Sequence, residues 1–524
     1  MKKYYTFIVS AILLIACKTE ITTENPTVAK PQFVSASYLP HKFQEDDRSS
    51  QIESLAPKLE KLFQEHAEVR HIPGIAYGIV VGDELVLKGS TGTINLEKDL
   101  PVGTRSQFRI ASMTKSFTAM AILKLRDEGK LSLEDPVQKF IPEVKMIEYP
   151  TSDSPLIDVE NLLTMTAGFP EDNPWGDRQL DESDQMLVDL MQSGVSVANP
   201  ISHTFEYSNT GYALLGKIIS EVSNRPFQTY IKEEILQPLG MNQTYWEYEN
   251  ISEELLALGY RWEDEQWKRE PMLHDGAYGA MGGLITSIED FSKYVSFHLS
   301  AWPPRSESDT GPVKRSSLRE MHTPQYSQLI AQAQDWNGAS CPALSGYGFG
   351  LRILESCKGI RRVGHGGALP GFGSSYVFYP DLGIGLMAFG NRTYTSPWPY
   401  VEILKLVFDS LDITPRQLPT SEILNKRKAQ VAQWIQQGDS SLEASLFAEN
   451  FFLDFSRKVR LVEIGKVLEQ TGTIQELGEL SPENQLRGVF HMKGEKGSAR
   501  VFFTLTPEKD PKVQQLDVSF SSGN

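Results

Sequence analysis

The stretch RIASMTKSFTAMAIL, residues 109–123, places a serine and a lysine three residues apart at the start of an apolar run. Ser112 and Lys115 share one face of a predicted helix, because positions i and i+3 are neighbours on a helical surface. Burying a lysine is unfavourable unless its ammonium is paired or neutral. A neutral amine beside a hydroxyl can activate that hydroxyl as a nucleophile. The alternative is that Lys115 extends to solvent from an ordinary core helix.

A second motif, FEYSNTGYALL, lies at residues 205–215. Tyr207 and Asn209 are two positions apart, so in extended backbone both side chains point to the same side. They can therefore enter one site. The ordinary structural interpretation is that Asn209 caps a helix beginning at Thr210 and that Tyr207 packs in the core.

A third motif, RRVGHGGALPG, lies at residues 361–371 and contains His365 followed by Gly366 and Gly367. Glycines beside a strand allow a ligand to approach the backbone closely. Taken alone, this segment is better explained as a glycine-rich turn with a surface histidine.

In this order, the three motifs resemble the serine β-lactamase and penicillin-binding-protein superfamily, in the branch of class C β-lactamases, D-alanyl-D-alanine carboxypeptidases and related esterases. That branch carries S-x-x-K, then Y-x-N, then K-T-G or H-x-G. The segments VENLLTMTAGFP, GAMGGLITSIEDFSKY and GFGSSYVFYPDLGIGLMAFGN add to the resemblance, which covers about residues 50–410. It implies an α+β, β-lactamase/transpeptidase-like fold: an antiparallel sheet flanked by helices, with an all-helical subdomain.

The resemblance also implies roles for the motif residues. Ser112 would be the acylated nucleophile and Lys115, held near neutrality, its general base. Tyr207 would exchange protons with the serine and the leaving group, and Asn209 would bind the substrate amide. The backbone N–H groups of Ser112 and Ala368 would form the oxyanion hole.

Two positions depart from the superfamily pattern. His365 stands where many β-lactamases have a lysine, and a histidine is only partly charged at neutral pH. Gly366 stands where threonine is frequent, so a hydroxyl donor is missing beside Gly367. Both changes predict weaker binding of a substrate carboxylate and slow turnover of penicillins. They favour an esterase, a peptidase for D-residues or a broad hydrolase over a specialised β-lactamase.

We therefore expect an exported serine hydrolase that forms an acyl-enzyme on an ester or amide, such as a D-amino-acid peptide, an ester or a β-lactam. The alternatives are a catalytically weak protein that binds penicillin or senses cell-wall fragments, and a transpeptidase. The complete set of motif residues favours the enzyme. The histidines lack ligand spacing, so we expect no metal site, and no cofactor is implied. The expected partner is a small molecule or short peptide, and the oligomeric state is open.

The N-terminus has the layout of a secretory signal. Lys2 and Lys3 precede an apolar stretch that ends in Leu14-Ile15-Ala16-Cys17. This ending resembles the bacterial lipobox, which implies lipid on Cys17 after residues 1–17 have directed export. The protein would then be a lipoprotein of the cell envelope, periplasmic or membrane-anchored. The alternative is an uncleaved anchor.

Length and composition predict more than one domain. The chain has 524 residues, more than one compact core usually holds. We expect a flexible tether at 18–49, the hydrolase domain at 50–411 and a small α+β accessory domain at 420–524. The last resembles cone-shaped modules of the nuclear-transport-factor or cystatin type. The net charge of −16 argues against nucleic acid as a partner.

The hydrolase domain should have strands at both ends and helices from its centre to about residue 300, so that the sheet draws on both ends. Cys341 and Cys357 flank YGFGLRIL, which resembles one strand. A strand of about eight residues separates its ends by roughly 26 Å. A disulfide would require the segment Pro342–Gly346 to fold back, so the bridge is left open.

Overall fold

The computed structural model of the chain describes residues 38–44, 47–411 and 413–522. Cys17, the predicted signal and most of the predicted tether lie outside the described residues. The described residues form two compact units, one of residues 39–419 and one of residues 420–522 together with Tyr38. Within the described ranges, every helix is too short or too polar to cross a membrane.

A nine-stranded antiparallel sheet organises the larger unit. The strands of this unit are β1 (Gly74–Val81), β2 (Glu84–Asn95), β3 (Leu100–Pro101), β4 (Phe108–Arg109), β5 (Tyr260–Glu263), β6 (Gln266–Arg269), β7 (Ile285–Thr286), β8 (Tyr326–Ile330), β9 (Ala343–Tyr347), β10 (Arg352–Ser356), β11 (Arg361–Leu369), β12 (Phe372–Tyr379) and β13 (Ile384–Gly390). Their order in the sheet is β3-β2-β1-β13-β12-β11-β10-β9-β8. Strands β4 with β7, and β5 with β6, form two separate pairs.

Helices cover the sheet and form a subdomain of their own. They are α1 (Arg48–Glu53), α2 (Ala56–Val69), α3 (Lys115–Asp127), α4 (Val159–Thr164), α5 (Asp184–Ser193), α6 (Asn209–Ser223), α7 (Phe227–Ile231), α8 (Gly279–Gly282), α9 (Ile288–Ser300), α10 (Arg315–Met321) and α11 (Tyr400–Ser410). Between β4 and β5 the chain forms helices α3 to α7 and their connections, which is the expected helical subdomain.

Strand β1 joins the two ends of the unit. It pairs with β13, where Ile75 is opposite Gly390, so the predicted contribution of both ends to one sheet is confirmed. The whole strand is buried, because alternate residues face two hydrophobic cores. Ile75 and Tyr77 pack with α2 and α11, whereas Ala76 and Val80 belong to the core that contains α9.

One hairpin interrupts the region that the sequence predicted to be helical. Strands β5 and β6 pair from Tyr260 opposite Arg269 to Glu263 opposite Gln266. Asp264 and Glu265 between them both have positive φ angles, 53° and 58°. Two such residues make the tight turn that matches the twist of a hairpin, so the prediction of helix throughout this region is wrong here.

The disulfide between Cys341 and Cys357 is present. YGFGLRIL is not one strand: Tyr347 ends β9 and Arg352 begins β10, and the chain reverses between them. In this hairpin Ala343 lies opposite Ser356, which brings the flanking cysteine Cα atoms within 5.2 Å. The expected separation of the cysteines is therefore wrong, because four residues of the supposed strand form the turn.

The described end of the predicted tether is attached to the segment that lies between the two predicted domains, residues 413–419. Lys42 and Gln417 exchange two backbone hydrogen bonds, of 2.9 and 2.7 Å. The Phe43 ring lies against the guanidinium groups of Arg48 and Arg416, 3.3 and 4.2 Å from its centroid. Residues 39–44 are thus part of the larger unit rather than a free tether. The backbone pairing of Lys42 and the contacts of the Phe43 ring attach them to it.

The second unit is an α+β fold with its own core. It contains α12 (Glu422–Gln437), α13 (Glu443–Leu446), α14 (Phe451–Asp454) and α15 (Arg457–Thr471), followed by β14 (Ile474–Leu477), β15 (Ser481–Asn484), β16 (Arg487–Gly494), β17 (Ser498–Leu505) and β18 (Val513–Ser521). The sheet order is β14-β16-β17-β18, with β15 also on β16. Helices followed by an antiparallel meander is the expected order; the likeness to cone-shaped modules stays a prediction.

Candidate active site

Ser112 lies in a 3₁₀ turn, Ala111–Thr114, that leads directly into α3. With three residues per 3₁₀ turn, side chains at i and i+3 are aligned one above the other. This aligns Ser112 with Lys115 more closely than an α-helix does. Ala111 has a φ of 51°, a left-handed conformation that a non-glycine residue adopts only where its surroundings impose it.

Lys115 is fully buried and does not extend to solvent. Its Nζ lies 3.1 Å from Ser112 Oγ, 2.7 Å from Asn209 Oδ1 and 3.0 Å from the carbonyl oxygen of Met281. The alternative interpretation, that Lys115 extends from a core helix to solvent, is therefore wrong.

These three contacts define where a neutral amine keeps its lone pair. The Asn209 oxygen and the Met281 carbonyl can only accept hydrogen bonds. In the neutral state they take both N–H groups of Lys115. The lone pair that remains then points at the Ser112 hydroxyl, which is the geometry that general-base activation of a serine requires.

Burial lowers the pKa of Lys115 to about 7. The carboxylates of Asp177 and Asp172 oppose this shift, and the guanidinium of Arg352 adds to it. The neutral, basic form of Lys115 is therefore present at neutral pH, and its population rises as the pH passes upward through about 7.

Asn209 begins helix α6 but does not cap it. Ser208 is the N-cap, and its Oγ accepts a hydrogen bond of 3.1 Å from the Gly211 N–H. Asp172 accepts a further bond, of 2.6 Å, from the backbone N–H of Asn209. Because Ser208 and Asp172 accept hydrogen bonds from backbone N–H groups at the start of α6, the Asn209 side chain is available to Lys115. The interpretation of Asn209 as the helix cap is therefore wrong.

The Asn209 side chain is completely buried and paired on both sides. Its oxygen accepts from Lys115, and its Nδ2 donates to Asn173 Oδ1 at 2.6 Å. The structure thus shows Asn209 positioning the lysine. Its contact with a substrate amide stays a prediction.

Tyr207 lines the cleft above Lys115, whose Nζ lies 4.9 Å from the centre of the phenol ring. Burial raises the pKa of Tyr207 well above its ordinary value, although the Ser112 hydroxyl and Arg352 act in the opposite direction. The resting phenol is therefore protonated and can donate its proton to a leaving group.

Strand β11 packs against the nucleophile turn at Gly367. A Cβ there would lie 2.2 Å from the carbonyl oxygen of Ile110 and 2.4 Å from Ser374 Oγ, so only glycine fits. The Ser374 hydroxyl donates to the same carbonyl at 2.6 Å. At Gly366, by contrast, a Cβ would lie 3.8 Å from its nearest neighbour, the carbonyl oxygen of Ser374. Packing therefore does not exclude a threonine at this position.

His365 is neutral in this site rather than partly charged. It is buried, and burial, with the nearby cations Arg352 and Lys115, holds its pKa well below the ordinary value. Its Nδ1–H donates to the carbonyl of Gly366, which leaves Nε2 to accept from the Tyr347 hydroxyl at 3.3 Å. The imidazole thus supplies no positive charge to a substrate.

The cleft has a volume of about 670 Å³, and the predicted residues Ser112, Tyr207, His365, Gly366, Gly367 and Ala368 all line it. Sequence reasoning missed two charged residues in its wall, Arg352 on β10 and Asp177. The signal available for Arg352 was a single arginine within the apolar run YGFGLRIL. Within the described ranges, acidic, histidine and cysteine side chains form no group that could hold a metal ion.

Asp177 is buried in the cleft wall, and burial raises its pKa to about 6. Its charge opposes the loss of a proton from Lys115. In Asp177→Asn, we expect the pKa of Lys115 to fall below about 7. The acidic limb of the pH–kcat/KM profile should then move to lower pH.

The maximal rate of Asp177→Asn should also fall, because the ammonium formed when Lys115 takes the serine proton loses a counter-charge. Asp181→Asn, an exposed carboxylate four residues on, is the matched control and should leave the profile unchanged. An acidic limb at the wild-type position in Asp177→Asn would contradict this coupling.

A serine beside a buried lysine, with a protonated tyrosine and a glycine strand across the cleft, defines the class of serine β-lactamase and penicillin-binding-protein-like proteins. The Beta-lactamase family model matches residues 59–406, more than half of the chain. The chain therefore belongs to this family.

Several known proteins are similar to this chain. Protein flp of Staphylococcus aureus is 28% identical over 341 residues, which cover 64% of this chain and 62% of the relative. Beta-lactamase-like protein 2 of Dictyostelium discoideum is 29% identical over 325 residues, 58% of this chain and 59% of that protein. The chain thus spans about three fifths of the curated relatives' length.

Two solved structures share the fold. The octameric penicillin-binding protein homologue from Pyrococcus abyssi superposes with a TM-score of 0.56 at 23% identity, over 89% of this chain and 98% of the other. A penicillin binding protein from Bacillus halodurans gives 0.51 at 24% identity, over 66% and 97%. At these identities the likeness shows the fold alone.

Proposed function

We propose that the chain is an exported serine hydrolase that forms an acyl-enzyme on Ser112. The observation that carries this proposal is the contact of 3.1 Å between Lys115 Nζ and Ser112 Oγ, with the other two Nζ partners being obligate acceptors. Membership of the Beta-lactamase family supports a serine hydrolase or acyltransferase.

In the first half-reaction, the neutral Lys115 amine takes the proton of Ser112 while Oγ bonds to the substrate carbonyl carbon. The carbonyl electron pair moves to oxygen, and the N–H groups of Ser112 and Ala368 are the proposed donors to that oxyanion. The intermediate then collapses, and the bond to the leaving group breaks. Tyr207 protonates the leaving group and recovers a proton from the Lys115 ammonium.

In the second half-reaction, the oxygen of a water molecule bonds to the acyl carbon. The bond between that carbon and Ser112 Oγ breaks, a proton from the water passes to Oγ, and the free acid leaves. An amine that enters instead of water would give transpeptidation through the same intermediate. A protein that acylates but does not release its acid would be the binding or sensing alternative.

Arg352 supports a substrate with a carboxylate, such as a peptide ending in a D-residue. Its guanidinium lies in the cleft wall, 5.5 Å from the centre of the Tyr207 ring. A guanidinium binds a carboxylate through two parallel hydrogen bonds. Arg352 thus offers a substrate carboxylate the positive charge that neutral His365 does not. The absence of lysine at 365 and of threonine at 366 is therefore a weaker reason to expect poor binding of carboxylate substrates.

We expect Arg352→Met to raise KM about tenfold or more for a D-alanyl-D-alanine peptide with a free carboxylate, since hydrogen bonds to charged groups contribute about 1.5–3 kcal/mol. Hydrolysis of p-nitrophenyl acetate, which has no carboxylate, should change little when both substrates are assayed well above the pKa of Lys115, because the charge of Arg352 contributes to lowering that pKa. Arg70→Met, at an exposed arginine after α2, is the control. Equal losses on both substrates would place the carboxylate elsewhere.

The experiment that tests the proposed function compares p-nitrophenyl esters, D-amino-acid amides and nitrocefin on one preparation, with intact-mass detection of the acyl-enzyme. Turnover of esters or D-amides supports the hydrolase. Stoichiometric acylation without release supports the binding protein, and an amide product formed from an added amine supports the transpeptidase. Nitrocefin should acylate Ser112 and turn over slowly.

Membrane attachment through lipid on Cys17 is part of the proposal and rests on the lipobox-like segment alone. In the bacterial host, Cys17→Ser should remove the lipid mass and shift the protein from the membrane fraction to a soluble or uncleaved form. Unchanged fractionation without added mass would exclude the lipoprotein.

A further inference from the structure

A second cavity, of about 170 Å³, lies between the outer strands of the large sheet and helix α11. Aromatic and aliphatic side chains form most of its wall: Trp336, Leu354, Ile360, Tyr379, Tyr400, Leu404 and Phe408. It shares no lining residue with the catalytic cleft among the described residues. The cavity is therefore distinct from the catalytic cleft.

One charged group in this wall has no acidic partner. The Arg362 guanidinium donates through Nη1 to the Tyr400 hydroxyl at 2.7 Å, and that hydroxyl lies 3.1 Å from the Tyr379 hydroxyl. Within the described part of the chain, no carboxylate forms an ion pair with Arg362. Arg362 lines the cavity, and its other N–H groups make no hydrogen bond with the described residues, so they can donate to a ligand there.

The two nearby carboxylates are already engaged. Asp335 pairs with Lys358 at 2.7 Å, and Asp409 accepts a hydrogen bond of 2.8 Å from Trp336 Nε1. Among the described residues that line the cavity, Asp335 balances Lys358, and Arg362 adds one further positive charge. A charge beside apolar walls attracts an anion more strongly than it would in open water.

The wall that carries Trp336 is fixed in place. The disulfide between Cys341 and Cys357 joins its loop to the turn between β10 and β11. The Trp336 ring packs on Phe408 with 5.0 Å between ring centres. The cavity is thus preformed, so a ligand would not have to order the loop.

We propose that this cavity binds a compact aromatic monocarboxylate, with the carboxylate on Arg362 and the ring packed against the wall that Trp336, Tyr379 and Phe408 form. A single guanidinium matches a single negative charge, and its planar fork matches a carboxylate. The aromatic walls favour a ring. The volume is adequate for one, because an apolar cavity of about 150 Å³ binds benzene.

The test is isothermal titration calorimetry of the full chain with phenylacetate, and with phenylacetamide as the neutral analogue. Phenylacetate should bind with one site, and phenylacetamide should bind about tenfold or more weakly. Arg362→Met should raise the Kd of phenylacetate by a similar factor. Arg361→Met is the matched control, since this neighbouring arginine pairs with Glu355 at 3.5 Å.

Arg352→Met distinguishes the two pockets. If it removes phenylacetate binding while Arg362→Met leaves it intact, the probe occupies the catalytic cleft and the proposal is overturned. Equal affinity for the acid and the amide, or no binding to the wild type, also overturns it. Hydrolysis of p-nitrophenyl acetate reports whether Arg362→Met is folded.

If Arg362→Met does not fold, Ser356→Phe fills the cavity from the end of β10 and leaves the arginine in place. This variant should abolish phenylacetate binding and keep esterase activity. Unchanged affinity in Ser356→Phe would exclude the cavity as the binding site.

Discussion

Replacing Ser112 with alanine is expected to lower turnover by about four to six orders of magnitude and to abolish covalent labelling by a fluorophosphonate. The reason is local: Ser112 Oγ is the hydroxyl that lies 3.1 Å from Lys115 Nζ, at the entrance of the cleft. Without Oγ, Lys115 keeps its other two partners but has no nucleophile to activate. Intact-mass spectrometry before and after labelling measures the result.

Ser375→Ala is the control for labelling, because this serine lines the same cleft without a neighbouring lysine. Ser375→Ala should be labelled once, as the wild type is. A Ser112→Ala protein that still accepts one fluorophosphonate would assign the nucleophile to another residue, and the acyl-enzyme proposal would be lost.

Local sequence predicts the parts of this molecule that depend on near neighbours. The S-x-x-K spacing predicts two aligned side chains, because a single helical turn places them together whether that turn is α or 3₁₀. The apolar run in β1 predicts a strand buried on both faces. The sequence also predicted that one sheet draws on both ends of the unit, but it did not predict that β13, among the late strands, is the one that pairs with β1.

What the sequence did not predict depends on distant contacts. Arg352 reaches the cleft only because β10 turns back along β9, and the same hairpin joins the cysteines. The neutrality of His365 follows from burial beside Arg352 and Lys115, which no local pattern encodes. Local sequence could not decide whether Asn209 caps α6 or contacts the site, because the adjacent Ser208 is an equally good cap and is the residue that caps the helix.

Lys115→Arg should be nearly as damaging as Lys115→Ala, each lowering kcat/KM by about three orders of magnitude or more. Arginine keeps the positive charge but has a pKa above 12, so it cannot supply a lone pair to Ser112. If charge alone mattered, the arginine variant would retain much of the activity. Lys124→Arg, at a partly buried lysine of the same helix that pairs with Glu128 and Glu234 outside the cleft, should behave as the wild type.

The pH profile separates a lost base from a disturbed fold. Because burial sets the pKa of Lys115 at about 7, wild-type kcat/KM should rise as the pH increases through about 7 and level off above it. In Lys115→Ala, the residual activity should lack that limb, while the unfolding temperature reports any damage to packing. For a pKa of about 7, the fraction of Lys115 that is a free amine rises about a hundredfold between pH 5 and pH 9. A wild-type rate that stays constant over this range would therefore show that a neutral Lys115 is not required.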